Sequence, residues 1–426
     1  MKASHTGPMD TATTWAPVLA RYAERLHARA GSGHHAVSPL GAWMVLALCV
    51  PAAREQRDRD ALGRALGADP DASFQMASSL LGDPHPLVSA AAGLWLAAGA
   101  ETPRFAAWRA MLPEVVESGD LPNQAALDAW AAAHTLGLID RFPIEVTPTL
   151  VCVLASALAT KVSWEVPFEI VDAGEIEPSR WSETVRGVLR APQKDPRHRQ
   201  FLARTERAGT VCVHLARARG GLLVGSVIAA EEDLPPGDVL AAAEEVVTAE
   251  AAERGRIPRL SLFDLPAGDG PVWSIHEGPI EDAAPGRREE RVVSVLPAWR
   301  AATTLELTQG EDLGFDEAAR AIASALGLQR FAFEARQACT ARYSAVGFEA
   351  AAVTALGVRT AALVRRRGVV RTATVRFAHP YAVVAVAFDD DRGPERPTAR
   401  TPWHGLPVFS AWVTERSEAE GDPPHA

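Results

Sequence analysis

The sequence predicts an α+β fold, because helical and strand-like segments are separated along the chain. Helical periodicity gathers in the first third, and strand patterns dominate from about residue 150 onward. A βαβ architecture would interleave the two kinds of segment. The chain has 426 residues, of which 47% are hydrophobic and 23% charged. This is an ordinary globular mixture, and it is enough to bury a large core.

The predicted helices begin where a polar residue can cap the free amide groups of the first turn. Ser38 can cap a helix that opens with Pro39, and proline is tolerated at that position. Gly31 ends the preceding helical pattern, and Gly137 ends the following one. Helical spacing of apolar residues is found over 14–30, 38–48, 123–134, 238–247 and 315–326.

The strand predictions rest on apolar runs and on alternation. The run 150–162 is continuously apolar, which suits a strand covered on both faces or a buried helix. The segment 330–342 alternates between apolar and charged residues and is predicted as a half-buried strand. Further strands are expected at 211–218, 222–230, 292–296, 303–307, 374–388 and 406–413. Residues 252–290 are rich in Gly, Pro, Arg and Glu and are predicted as a surface insertion, and the acidic tail 414–426 is predicted to be disordered.

Composition excludes several classes of partner. The net charge of −10 leaves no excess positive field to hold a phosphate backbone, so we expect no nucleic-acid binding. The first forty residues contain no apolar core of signal-peptide length, and no run reaches the length of a membrane span. We expect a cytoplasmic protein without membrane association, with export by an unrecognised route as the alternative. Four widely spaced cysteines in apolar stretches are predicted to be buried thiols.

The sequence offers no positive support for catalysis. It contains no nucleophile elbow, no phosphate-binding loop, no dinucleotide fingerprint and no zinc-protease motif. The pair His34-His35 lies in a Gly-flanked loop without a thiol or carboxylate nearby, so we expect no metal there. His379 precedes a proline within a strand pattern and is interpreted as structural. We expect no cofactor and no metal.

The stretch 345–376 is the most informative part of the chain. It begins with the flexible Gly347 and continues through small residues. Alternation would leave one face of an extended strand without charge, namely Phe348, Ala350, Ala352, Thr354, Leu356, Val358 and Thr360. Such a segment can lie as a strand with one face buried, or it can stay solvated as a long surface loop.

Seven landmarks in a coherent order make the chain resemble a divergent, bacterial-type serpin. In chain order they are HAVSPLGAWMVLALCV, LDAWAAAHTLGLID, LASALATKVSWEVPFE, VLPAWRAATTLEL, GFEAAAVTA, VRFAHPYAVVAV and GLPVFSAWV. The resemblance implies one serpin domain over residues 13–413. In such a domain, helices pack on a large mixed sheet, further sheets accompany it, and an exposed reactive-centre loop covers 345–372.

The resemblance implies a protease inhibitor that works by changing shape, and not an enzyme. In the family, a target endopeptidase cleaves the exposed loop and forms an acyl-enzyme. The freed hinge then inserts into the large sheet as an extra strand. The implied partner is an endopeptidase of the serine or cysteine type, and the inhibitor is expected to be a monomer. The uncharged face of the stretch after Gly347 is what insertion requires.

Carried over position by position, the resemblance places a hinge at Gly347, Phe348, Glu349, Ala350, Ala351, Ala352, Val353 and Thr354. The family's spacing from Gly347 puts the cleaved bond at Ala361-Ala362, which suits proteases with shallow primary pockets, of elastase or subtilisin type. Counting backward from 375–377 lands near Val369 instead. Between the two counts, Arg365, Arg366 and Arg367 form an alternative, trypsin-like target.

The resemblance also places a sheet-opening region at Ser38, Gly41, Ser156, Trp164 and Gln337. Ser38 and Trp164 match the family. The other three stand where the family has Ser, Asn and His in a polar latch, so that latch must be rebuilt or absent. Phe348 replaces a small hinge residue, and overpacking at a buried site costs about 1–3 kcal/mol. A non-inhibitory, serpin-like binding or interaction protein is therefore the alternative function.

Overall fold

The computed structural model describes residues 11–181, 183–252, 257–280, 287–309, 312–348, 368–390 and 400–419. The α-helices in these ranges are α1 (Thr11–Ala30), α2 (Pro39–Cys49), α3 (Gln56–Leu66), α4 (Pro70–Gly82), α5 (Pro103–Arg109), α6 (Gln124–His134), α7 (Pro236–Ala251) and α8 (Phe315–Ala325). Across the same ranges, no helix is long and apolar enough to cross a bilayer.

The described ranges also contain twenty strands, most of which follow α6. They are β1 (His35–Val37), β2 (Ser89–Leu96), β3 (Glu117–Asp120), β4 (Cys152–Ala159), β5 (Val162–Ser163), β6 (Glu169–Asp172), β7 (Gly187–Arg190), β8 (His198–Thr205), β9 (Gly209–Ala218), β10 (Leu222–Ala229), β11 (Arg259–Leu260), β12 (Gly268–Asp269), β13 (Trp273–Ile280), β14 (Arg288–Leu296), β15 (Trp299–Glu306), β16 (Arg336–Tyr343), β17 (Gly347–Phe348), β18 (Gly368–Arg376), β19 (Tyr381–Ala387) and β20 (Leu406–Val413). The predicted separation of helices and strands is therefore observed.

The helix α2 lies at the centre of the main core. Ser38 caps it by accepting a hydrogen bond from the Gly41 amide, and Pro39 occupies its first turn, as the sequence predicts. The helix is buried on nearly all sides, because helices pack against one flank and sheets against the other. It therefore fixes the position of whatever strands rest on it.

Two large sheets form the body of the protein. The first has seven antiparallel strands in the order β1-β20-β19-β10-β9-β8-β11, and α7 packs on one face of it. The second has six strands in the order β12-β13-β18-β14-β7-β6 and is mixed, because β14 and β18 run parallel. The β9–β10 hairpin turns through Gly220 and Gly221, between the two strands that the sequence predicts at 211–218 and 222–230.

A further sheet is divided into two halves. One half has the order β3-β2-β4, and the other is the antiparallel pair β15-β16. In the described part of the chain, no ladder joins β4 to β16. Within those residues, the only strand ladder that bridges the two halves is the short one between β5 and β17, and two backbone hydrogen bonds, from Trp164 to Val346 and from Phe168 to Ala345, continue it.

The structure differs from the sequence-based boundaries at two strands. The predicted strand 330–342 is observed at 336–343, because its partner β15 ends at Glu306, opposite Arg336. The predicted strand 374–388 is two strands, β18 and β19, which belong to different sheets. The run 150–162, left open between strand and helix, contains the strands β4 and β5.

The interval 252–290 is more ordered than a surface insertion. Its described parts supply β11 to the seven-stranded sheet, and β12, β13 and the start of β14 to the six-stranded sheet. The predicted loop 345–372 is also shorter at both ends. Ala345 and Val346 are buried, β17 follows them, and β18 already begins at Gly368.

The acidic tail is attached to the body over its described part, which corrects the expectation of disorder for residues 414–419. The Ser417 amide donates to the carbonyl of Ala298 at 2.8 Å. The Glu418 carboxylate accepts from the amides of Arg186 and Gly187 at 3.0 and 2.9 Å. Residues 420–426 lie outside the described residues.

Candidate functional site

The candidate site is the cleft between β4 and β16, the two strands that face each other across the divided sheet. Each strand has eight residues and, among the residues that the structure describes, is paired on its far side only, β4 with β2 and β16 with β15. Unpaired strand edges present rows of amide and carbonyl groups, which are a template for an additional strand. The cleft is therefore a place where the sheet can grow.

A cavity of 780 Å³ fills this cleft. Both strands line it, and small side chains border it on each side, among them Ala155, Ser156 and Ala157 of β4 and Ala338, Cys339 and Thr340 of β16. Small side chains let another backbone approach closely. The dimensions suit an extended peptide, and they also fall in the roughly 300–1,000 Å³ range of small-molecule sites.

A chain of hydrogen bonds crosses beneath the cleft through the start of α2. On the β16 side, the Gln337 amide group donates to the carbonyl of Ser38 at 2.8 Å and accepts from its backbone amide at 3.0 Å. The Ser38 hydroxyl donates to the carbonyl of Val408 and accepts from the amide of Gly41. On the β4 side, the Ser156 hydroxyl donates to the carbonyl of Gly41 at 2.7 Å. We call this chain the latch.

The latch brings together four of the five predicted sheet-opening residues. Three of them differ from the family pattern, yet the network is rebuilt through backbone groups of α2. Gly41 makes this possible by its size, because a Cβ there would come within 3.1 Å of the Ser38 hydroxyl oxygen. Buried polar groups that are fully paired hold a unique arrangement. The latch therefore ties both edges of the cleft to the same helix.

The upper end of the cleft is closed by β5 and β17. Gly347 and Phe348 pair with Ser163 and Val162, and the amide of Trp164 donates to the carbonyl of Val346 at 3.1 Å. Gly347 has φ of +156°, and a Cβ there would lie 2.3 Å from the carbonyl oxygen of Val162. Only glycine fits so close to the neighbouring strand. Gly347, the predicted hinge glycine, is thus held against β5 at this end of the cleft.

Trp164, the fifth predicted sheet-opening residue, lies at this closure rather than at the latch. Its indole nitrogen donates to the carbonyl of Ser344 at 3.0 Å, and its ring packs against Tyr343 and Phe168. Beneath Phe168 lies a buried pair, His198 and His214, whose ring nitrogens are 3.1 Å apart. Burial lowers the pKa of both imidazoles, so both are neutral at pH 7. Sequence analysis did not single out this pair.

The helix α6 and the segment after it cover the opposite face of the cleft. Ala131, Thr135 and Leu138 line the cavity from this side. The Ser89 hydroxyl of β2 donates to the carbonyl of His134 at 3.1 Å, which fastens the end of α6 to one half of the sheet. Arg336 of β16 donates to the carbonyl of Pro143 at 3.4 Å. These two contacts attach the cover to both halves of the divided sheet.

Three of the four thiols, Cys49, Cys152 and Cys339, line the cavity. Burial raises the pKa of the Cys152 and Cys339 thiols to about 12, so they are neutral and behave as small apolar groups. Cys212 lies in β9, away from the cleft. Among the residues that the structure describes, no group of three or more His, Cys, Asp or Glu side chains is placed to hold a metal ion.

Part of the predicted site lies outside the described residues. This applies to the hinge residues 349–354, to the bond Ala361-Ala362 and to the alternative arginines 365–367. Phe348 is described through its backbone pairing with Val162 alone. The roles assigned to these residues remain predictions.

Solved structures resemble this arrangement over nearly the whole chain. The thermophilic serpin tengpin, in its native state, matches with a TM-score of 0.62 at 12% identity, covering 97% of each chain. The chain has the serpin fold. Human kallistatin, another match to the fold, gives a TM-score of 0.59 at 16% identity and covers 96% of this chain and 99% of its own. No family model and no curated protein matches the sequence.

The serpin fold occurs in proteins with different activities. Human thyroxine-binding globulin, solved with bound thyroxine, matches with a TM-score of 0.60 at 13% identity and covers 96% of this chain and all of its own. The serpins that the chain resembles are protease inhibitors or binding proteins rather than enzymes. The fold is therefore compatible with both functions that the sequence leaves open.

Proposed function

We propose that this protein is a suicide inhibitor of an endopeptidase and acts by inserting its cleaved loop into the cleft between β4 and β16. The observation that carries the proposal is the cleft itself, whose two facing strand edges have equal length and no ladder between them in the described part of the chain. An inserted strand would satisfy the backbone groups of both edges at once. The first two residues of the predicted hinge, Gly347 and Phe348, pair with β5 at the upper end of the cleft.

The pattern of the loop sequence supports insertion. Residues of even number from 348 to 360 carry no charge. In β16, alternate side chains such as Cys339 and Ala341 are buried against the main core, whereas Arg336 and Arg342 on the other face are at least partly exposed. An inserted strand faces the same two environments. Its uncharged side suits the core, and the side with Glu349 and Arg359 suits the other.

The length of the cleft favours Ala361-Ala362 as the cleaved bond. Thirteen residues, 349–361, follow Phe348 up to that bond. Eight of them would match β4 and β16, and the remainder would form the reversal at the top. Cleavage at the arginines 365–367 would leave four to six further residues without a place in the cleft. A small residue at the bond suits serine proteases with shallow primary pockets.

Incubation with elastase, subtilisin and trypsin tests the proposal directly. We expect a detergent-resistant complex with elastase or subtilisin, and a released fragment whose first residue is Ala362. Cleavage should also raise the melting temperature, because the inserted strand completes the sheet. Clean cleavage without a complex and without a gain in melting temperature would refute inhibition.

A matched pair of variants tests the role of the two loop faces. Ala350→Glu places a charge on the side that must meet the core, whereas Ala351→Glu places the same charge one residue further on, on the other side. We expect the first variant to be cleaved without forming a complex and the second to retain it. Phe348→Thr should raise the ratio of complex to cleaved product, because it removes an overpacked side chain from the hinge. Equal behaviour of the two charged variants would contradict insertion.

A binding role without inhibition is the second candidate function. It is favoured by the bulky Phe348, which hinders insertion, and by a cavity of 780 Å³ that is already open. In this case the cavity would hold a small apolar ligand in place of the loop. Clean cleavage in the protease assay, together with saturable uptake of an apolar fluorescent probe, would support this function over the first.

A further inference from the structure

The strand that follows the loop, β18, lies in the interior of its sheet. On one side it pairs antiparallel with β13 over eight residue pairs, and on the other it pairs parallel with β14 over eight. In the strand order β12-β13-β18-β14-β7-β6, only β12 and β13 separate β18 from the sheet edge. An edge strand can peel away by breaking one ladder, whereas an interior strand must break two.

Arg371 fastens the middle of β18 to the chain that precedes β12. One of its terminal nitrogens donates to the carbonyls of Leu262 and Leu265, both at 2.8 Å. Its Nε donates to the Glu277 carboxylate of β13 at 3.0 Å, and its guanidinium lies 5.0 Å from the ring of Phe263. Bonds from an ionised donor are about twice as strong as neutral ones.

Arg376 fastens the far end of the same strand. Its amide donates to the carbonyl of Val272, and its guanidinium donates to the Ser274 hydroxyl and to the carbonyl of Glu175. The next residue, Phe377, donates its amide to the carbonyl of Val295. The hairpin β12–β13 and its approach therefore hold β18 along its whole length.

The length of the loop makes this attachment consequential. Nineteen residues, 349–367, connect β17 to β18. Descending the cleft beside eight residues takes about 26 Å of extended chain, and an uncut loop must also return to Gly368. The two passes use about sixteen residues, which leaves three for both reversals and for the distance between the strands. An uncut loop can insert fully only if β18 leaves its sheet and contributes its own residues.

We propose that the hairpin β12–β13 locks β18 in place and so makes loop insertion conditional on cleavage. The inference rests on the proposed inhibitory function and adds its regulation. A cut after Ala361 separates the inserting hinge from β18, so the lock does not oppose insertion of the cleaved loop. Without the lock, β18 would be an edge strand held by the β14 ladder and by the bond from Arg376 to the carbonyl of Glu175, and the uncut protein could insert its own loop.

Arg371→Ala tests the lock, and Arg259→Ala is its matched control. Arg259 also makes a cation–π contact, with Phe201, and an ion pair, with Glu250, but it lies on β11 in the other large sheet. We expect amide hydrogen exchange in residues 368–376 to be at least tenfold faster in Arg371→Ala and unchanged in the control. During prolonged incubation below its melting temperature, uncut Arg371→Ala should convert to a monomer resistant to cleavage at least tenfold faster than the unmodified protein.

A disulfide across the ladder provides the opposite perturbation. Ser274 and Thr374 are register partners, so Ser274→Cys with Thr374→Cys can bridge β13 and β18. When oxidised, this variant should convert without cleavage no faster than the unmodified protein and should still gain thermal stability when cut. It also keeps the test informative if Arg371→Ala fails to fold. A disulfide that blocks the stability gain of the cut protein would overturn the lock, because β18 would then have to move after cleavage.

The remaining outcomes separate the lock from the function on which it rests. Exchange and conversion in Arg371→Ala equal to those of the unmodified protein would refute the lock alone. If cutting the loop of the unmodified protein gives no gain in melting temperature, insertion itself is refuted, and the proposed function fails with it.

Discussion

Gln337→Ala is expected to loosen the cleft by cutting the latch on the β16 side. Gln337 pairs with both backbone groups of Ser38, and Ser38 is 6% exposed. No other group in the latch connects β16 to α2. The variant therefore leaves the buried amide of Ser38 without a partner and its carbonyl with the bond from the Ala42 amide alone, while β4 stays attached through Ser156.

The expected loss in the free energy of unfolding is about 2–4 kcal/mol. Each hydrogen bond contributes about 1 kcal/mol net, and a buried group left unpaired adds about 1–3 kcal/mol. Partial access of water to the widened cleft keeps the total below the sum of the extremes. Ser156→Ala removes one bond on the other side and should cost about 1 kcal/mol. The double variant should lose less than the two single variants together, because either cut releases an edge of the same cleft.

The assay combines denaturant unfolding with the rate of thiol labelling. Widening the cleft admits water, which lowers the pKa of the Cys152 and Cys339 thiols from about 12 towards the ordinary value. Each unit of decrease raises the thiolate fraction, and with it the labelling rate, about tenfold. Cys212 lies outside the cleft and serves as an internal standard.

Gln200→Ala is the matched control for this prediction. Gln200 also pairs with a backbone amide, that of Ser294, and a backbone carbonyl, that of Pro192, but it lies on β8. It should lower stability by a similar amount without changing the labelling of Cys152 or Cys339. If Gln337→Ala leaves the labelling rates at the unmodified level, or if Gln200→Ala raises them equally, the latch does not hold the cleft.

Three further predictions concern single residues. Burial raises the pKa of Glu244 to about 8, so the folded state favours the protonated carboxyl. The free energy of unfolding therefore falls by about 1.4 kcal/mol per pH unit as the pH rises from about 4.5 towards 8. Glu244→Gln should remove this fall, as measured by unfolding at several pH values. Burial lowers the pKa of His27 to about 3, so the free energy of unfolding falls as the pH drops below about 6.5. His27→Asn should reduce the slope of unfolding free energy against pH in this range by about 1.4 kcal/mol per pH unit. An unchanged slope would contradict this. Gly347→Ala forces a Cβ to within 2.3 Å of the Val162 carbonyl oxygen and should separate β17 from β5, with faster amide exchange in residues 162–164 as the readout.

The start of β16, at Arg336, shows why alternation alone misplaces a strand. Phe331 and Phe333 continue the pattern, but β15 ends opposite Arg336, so the residues before it have no partner in that ladder. Phe331 is 43% exposed. Alternation records which face is apolar and says nothing of whether a neighbouring strand is present to pair.

The interval 252–290 illustrates the same limit in the opposite direction. Its Gly and Pro content is typical of loops, yet β13 forms an eight-residue ladder that includes Pro279 opposite Val369. What stabilises this strand is the free edge that β18 offers, and β18 lies almost ninety residues further along the chain. Composition cannot report the availability of such an edge.

The order of helices and strands and the cap at Ser38 were readable from the sequence, because local periodicity and capping act within a few positions of one another. The hinge at Gly347 and the sheet-opening region follow from the family resemblance, and their roles stay predictions. The open cleft, the latch rebuilt from backbone groups and the burial of β18 between two neighbours depend on pairings such as Gln337 with Ser38, which are 299 positions apart. Such contacts form only when the whole core has assembled, since their geometry is set by packing between elements rather than by any one segment.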